Sequence, residues 1–265
     1  MEVHKHPQHV MHKKKWNEYL LEFFMLFLAV FLGFVAENIR EGQAEKNREH
    51  EYIESLVNDL KKDTANAQIV IADFQKFAPF MDSMSNSFPS MVSGDTSTMY
   101  VYFRNSGKFS GDFEDFHLMD ATMQQLKNSG SLRLIRNKKV VDSILAYDNS
   151  SKDALQQEDW VDKVFEKYGD RKSECIDVIK IQDLLKKRKA GLKPGEKIEK
   201  EDMQKIMSLQ NVLTTNDRSK LNSYYISLGT WNANCKGWIV YLKDFKQQGT
   251  RLISFLQKEY HLENE

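Results

Sequence analysis

The chain has 265 residues, and its 38 Lys plus Arg balance 38 Asp plus Glu, so the formal net charge is zero. That balance excludes the basic footprint of a general nucleic-acid binder, and 41% hydrophobic against 29% charged residues excludes wholesale disorder. Two cysteines, Cys175 and Cys235, make neither a disulfide scaffold nor a cysteine-based zinc site, and the low counts of Pro (4) and Gly (12) permit long uninterrupted helices.

Residues 1–15, MEVHKHPQHVMHKKK, form a basic tail with four histidines, His4, His6, His9 and His12. Histidine-rich tracts bind metal, but Pro7 breaks this one and a structural zinc site needs four fixed ligands. No metal is assigned, and the tail is expected to rest on anionic lipid. Next comes FFMLFLAVFLGFVA, Phe23–Ala36, without one polar side chain. Its helix is short for a bilayer, about 21 Å against about 30 Å. Trp16 and Tyr19 suit the headgroup level and Lys13, Lys14 and Lys15 can snorkel, so residues 16–37 reach about 33 Å. A cleaved signal peptide is the rival, and it would place Phe34 where cleavage needs a small residue.

The Lys13–Lys15 cluster predicts a cytoplasmic N-terminus and residues 38–265 outside the plasma membrane, periplasmic where a periplasm exists. Ala29 and Gly33, four apart, are a candidate oligomer face, since small residues let membrane helices approach closely. Glu22 is a candidate intramembrane carboxylate. It also lies close enough to Lys15 to reach headgroup water.

Residues 38–78 predict a charged stalk that becomes amphipathic, with Ile53, Leu56, Val57, Leu60, Ala67, Ile71 and Phe74 on one side. Pro79 is expected to end or kink this helix. Residues 79–118 are less regular: Met81, Met84, Phe88 and Met91 have loose helical spacing, whereas 93–97 and 106–108 look like loops. The stretch around Tyr100, Tyr102 and Phe103 fits a helix or a strand. Asp120 and Asn137 are N-cap candidates and Gly130 a helix stop. Helical sequence resumes from Lys152 to Arg188, with Leu155, Trp160, Val164 and Phe165 expected inward. Lys189–Lys200 is a predicted loop and Glu201–Leu213 a short helix. Asn216 or Asp217 then caps a last helix with Leu221, Tyr225, Leu228, Cys235, Ile239, Leu242, Leu252, Phe255 and Leu256 on its stripe. Part of that spacing is heptad-like, as in a coiled coil, with the stalk helix or a second copy as partner.

No phosphate-binding loop, zincin motif, nucleophile elbow or calcium loop is present. Outside the tail and stalk only His117 and His261 remain as bases for a nucleophilic triad. Cys175 and Cys235 are a possible bridge or two buried thiols. Trp231, Trp238 and Tyr241 fit core packing or a ligand pocket.

Two stretches, KKKWNEYLLEFFMLFLAVFLGFVAENIRE (Lys13–Glu41) and LKNSGSLRLIRNKKVVDSILAYDN (Leu126–Asn149), together resemble an uncharacterised family of bacterial single-pass inner-membrane proteins. The resemblance implies an N-terminal anchor and a helical exported domain, and no activity. The expected fold is mainly α: a transmembrane helix, residues 16–37, continuing through a stalk, 38–78, into an elongated helical bundle, 79–265. The expected role is a non-enzymatic envelope scaffold or sensor without cofactor. Its expected partners are the bilayer and either a second copy or an envelope protein, with no nucleic acid. Alternatives are a subunit of an ion-driven or transport assembly using Glu22, and an envelope enzyme of unfamiliar type.

Overall fold

The computed structural model describes residues 15–108, 115–191, 201 and 212–262. Their regular elements are all helices: α1 (Trp16–Val92), α2 (Thr96–Lys108), α3 (Ala121–Asn128), a 3-10 turn (Ser131–Leu134), α4 (Lys138–Cys175), α5 (Val178–Ala190) and α6 (Arg218–Tyr260). The chain divides into two compact units, Met1–Tyr52 and Ile53–Glu265.

In the first unit the described residues lie almost wholly in α1. Its apolar side chains from Leu20 to Val35 are exposed on every side. Phe23, Phe27 and Phe31 stack one turn apart, with ring centroids 6.3 and 6.1 Å apart. An 18-residue window has mean hydropathy 2.3 and no buried part. A helix apolar all round, with no protein against it, needs an apolar surrounding. This one is long and apolar enough to cross a membrane. Beyond it, Arg40 pairs with Glu37 and Gln43 bonds Asn47 across one turn.

The second unit begins at Ile53, where the apolar stripe of α1 begins, rather than at residue 79. Ile53, Leu56, Val57, Leu60, Ala67, Ile71 and Phe74 are all buried. Over residues 68–82 this side of α1 meets α6, which runs antiparallel to it. Lys246 bonds Gln68, the Phe74 and Trp238 rings meet edge to face at 4.9 Å, and Asn232 bonds Asp82. The α4 helix also runs antiparallel to α6, through ring contacts of Tyr147 with Phe245, Phe165 with Trp231 and Tyr168 with Tyr224. The core is therefore the triangle of α1, α4 and α6. Met81, Met84, Phe88 and Met91 lie inside it, and α2 folds back on α1, with Tyr102 against Phe88 and Asn105 bonded to Ser83.

Several expectations change. Pro79 does not end α1, which continues through both Pro79 and Pro89 to Val92. Both prolines are solvent-exposed. The carbonyls they deprive of a donor, those of Gln75 and Ser85, share that face, which lowers the usual penalty. The irregular stretch 79–118 thus contains the end of α1, a turn at Ser93–Gly94–Asp95 and all of α2. Tyr100, Tyr102 and Phe103 are helical. Helix α4 is one helix from Lys138 rather than two segments, and it stops at Cys175, before α5. Ile176 and Leu213 form an isolated antiparallel bridge at that break, with Asp177 N–H on Val212 C=O at 2.9 Å. Leu213 is therefore not helical. Leu155 and Trp160 face outward, while Ala154, Val161, Val164 and Tyr168 are buried. On α6 the buried residue is Tyr224 and not Tyr225. The predicted loop starts only at Gly191, and most of it, like 202–211 of the short helix and the histidine tail, lies outside the described residues.

Candidate functional site

Asp115–Asp120 crosses the bundle without regular structure, so its backbone N–H groups need outside acceptors. The long helices supply them. Phe116 N–H donates to Glu158 Oε1 at 2.8 Å, His117 N–H to Asn66 Oδ1 at 2.9 Å and Met119 N–H to Asp63 Oδ1 at 2.7 Å. Thr122 donates both its N–H and its hydroxyl to Asp59 Oδ2. Asp59, Asp63 and Asn66 are spaced four and three apart, which places them on one face of α1. Asp120 occupies the N-cap position of α3 but makes no cap bond, and it accepts from Gln124 instead. Asp59 does the capping from another helix. Asn137 and Asp217 cap α4 and α6 as expected, and Gly130 takes the left-handed conformation, φ 67°, after α3.

Asp63 is only 2% exposed. Its second oxygen accepts the Tyr147 hydroxyl at 2.7 Å. Burial holds its carboxyl above the usual range, against the opposing pull of the Met119 and Tyr147 bonds. Burial, then the Asp63 charge, push the Tyr147 phenol far up. Glu158 is pushed up to about 7, first by burial and then by Asp162 and Asp115, opposed by the Phe116 N–H and by His117. Nearby, burial would raise Asp148, but hydrogen bonds from Lys152 and Lys127 outweigh it and hold it low.

Toward the loop end of α6, the Tyr102 and Tyr224 hydroxyls bond each other within a cluster of rings. Lys172 lies over the Tyr168 ring, donates to Ser106 at 3.3 Å and has its ammonium pKa lowered by burial. A half-open cleft of about 590 Å³ between Phe88, Val92, Arg218, Asn222 and Tyr225 adjoins it. Cys175 and Cys235 are both free and buried. Burial, then Asp162, push the Cys235 thiol up to about 12, which removes it as a nucleophile at neutral pH. Trp231 and Trp238 are core residues, and Tyr241 is exposed. Among the described residues, no group of three His, Cys, Asp or Glu is placed to hold a metal ion.

Ala29 and Gly33 lie on the exposed apolar part of α1, and a Cβ at Gly33 would meet nothing within 4 Å. Glu22 is exposed near the start of the same helix. A further surface is the outer face of α6. Ile226, Gly229, Ala233, Gly237 and Val240 follow one another at three- and four-residue steps. Ile226 and Val240 are each 65% exposed, and the space around Gly229 and Gly237 is open. Sequence reasoning missed both this face and the Asp59–Asp63–Asn66 row. The signal for the row was a gap: the α1 stripe jumps from Leu60 to Ala67, and Asp63 fills the core position between them.

No protein-family model matches the chain, and no curated protein and no solved structure is similar to it.

Proposed function

We propose that this chain is a membrane-anchored, non-enzymatic envelope protein whose helical domain acts as a scaffold or sensor by pairing with a second copy of itself. The observation that carries the reading is the outer face of α6. Small residues at Gly229, Ala233 and Gly237, bordered by Ile226 and Val240, let another helix approach closely, as such rows do in helix pairs. A second copy is the favoured occupant for two reasons. A parallel two-fold pair sets each small residue against its own counterpart. An anchor through residues 16–37 also confines copies to one plane and raises their effective concentration. The anchor carries its own small pair, Ala29 and Gly33. The Lys13–Lys15 cluster supports a cytoplasmic tail and a domain beyond the plasma membrane.

The test is the mass of the detergent-solubilised chain by light scattering, for wild type, Gly229→Leu and Gly237→Leu. A Cβ at either glycine meets nothing within 4 Å, so the fold is expected to survive. The reading predicts a dimer or larger for wild type and a shift toward monomer for both variants. A wild-type monomer in several detergents would remove it.

A further inference from the structure

We propose that Asp115–Asp120 is a pH-operated latch, closed on the bundle while the Glu158 carboxyl is neutral and released at its Phe116 end when that carboxyl ionises. The inference stands on the packing of the second unit and is independent of self-association.

The closed state is defined by Phe116. Its side chain is 3% exposed, with its ring edge-on to Phe245 of α6 at 5.1 Å. Its N–H donates to Glu158 of α4. A neutral carboxyl accepts that bond through its carbonyl oxygen without any charge to solvate. The ionised form is a different neighbour. It is desolvated, and it faces Asp162 on its own helix and Asp115 on the latch. Asp162 in turn faces Asp115, Asp159 and Glu166. His117 of the latch is the opposing charge. From α1 the latch meets the neutral amide of Asn66 and, at its far end, Asp63; from α6 it meets the Phe245 ring.

Opening gives up the Phe116 N–H bond and the nearby His117, both of which favour the carboxylate, and in exchange rehydrates Glu158 and relieves its repulsion from Asp115; burial, the first cause of the raised carboxyl, sets the direction. At the Met119 end, Asp63 is also locked to Tyr147 on α4, which keeps that end in place. The ionisation falls in the neutral range, since Glu158 is pushed up to about 7, by burial first.

Hydrogen exchange read by mass spectrometry on the full chain in detergent tests this, from about pH 5.5 to about 8.5, with rates corrected for the intrinsic pH dependence of exchange. In wild type, protection of the Phe116 and His117 amides is expected to fall about tenfold across neutrality. Glu158→Gln, which keeps the acceptor and lacks the charge, is expected to stay protected throughout. His117→Asn is expected to keep the fall. Flat protection in wild type would overturn the latch. An unchanged fall in Glu158→Gln, or its loss in His117→Asn, would assign the response to another group and overturn it equally.

Discussion

At the scale of single residues, the second unit hides its polar chemistry in positions that look apolar by spacing. Asp63 lies in the α1 stripe, where a leucine would serve packing and an aspartate serves Met119 and Tyr147. Such a residue is tolerated only because its acceptors are filled. Glu158 is the less settled member, and its sign in pH-dependent stability follows from linkage. Its ordinary value is 4.5 and its folded value about 7, so the folded state binds the proton more tightly. The stabilisation is complete below the lower value and is lost as pH rises through the higher one. Asp63 and Asp162, both raised by burial first, act in the same direction. Asp148 is held low, so its contribution is lost only in acid, below the range in question. Detergent-solubilised wild type is therefore expected to be less stable to urea at about pH 8 than at about pH 5. After discounting for solvent, Glu158 supplies about 1–2 kcal/mol of that difference, and Glu158→Gln is expected to remove that part. Equal pH slopes for the two proteins would contradict the assignment. The caps Asn137 and Asp217 were legible in the sequence because a cap bond is local. Asp59 was not, because it caps α3 from 63 residues away.

At the scale of elements, periodicity found the α1 and α6 stripes well and placed Val164 inward. It failed where a single residue argued against a helix. Pro79 was read as a break, yet it and Pro89 both face solvent and α1 runs through both. Leu155 and Trp160 were assigned inward on hydrophobicity, but their neighbours Ala154 and Val161, one residue away, are in the core instead. Trp160 and Leu155 are simply exposed apolar residues, which are ordinary on a protein surface. Among the described glycines, the one held close against other helices is Gly249 of α6. A Cβ there would lie 2.7 Å from Thr64 Cγ2 and 3.2 Å from Tyr147 Cε2. Gly249→Ala gains about 1 kcal/mol of helix propensity and is expected to lose about 1–3 kcal/mol to overpacking. The net expectation is destabilisation that Thr64→Ser, which removes the offending methyl, partly restores. Thermal unfolding of the two single variants and the double variant reads the coupling. Additive effects would show that Gly249 is not held against Thr64.

At the scale of the whole molecule, the mainly α architecture was legible because long low-proline stretches with helical spacing leave few alternatives. The apolar helix was legible from composition alone, and in the structure no protein covers it. The stalk was expected to run to residue 78, whereas the second unit begins at Ile53, at the start of the stripe that spacing had marked. The sequence left open whether the stalk stripe meets the last helix or a second copy; in the structure Ile53, Leu56, Val57 and Leu60 are buried in the protein's own core. The surface that the proposed self-association uses is the outer face of α6. Its small residues carry little hydrophobic signal, so a stripe search passes over them. Lys163 pairs with Asp159 one turn away, and Lys236 of α6 pairs with Asp82 of α1, contacts worth little individually, and the outer face of α6 carries no charge at Ile226, Gly229, Ala233, Gly237 or Val240.

In-cell disulfide crosslinking measures the pairing most directly. Single cysteines would be placed along Ile226–Val240 and along Ala29–Gly33, in a chain lacking Cys175 and Cys235. Self-association through α6 predicts strong crosslinks at 226, 229, 233, 237 and 240, with minima at the flanking positions that face α1 and α4. No crosslinks on α6 at any position, with the protein present in the membrane fraction, would contradict it.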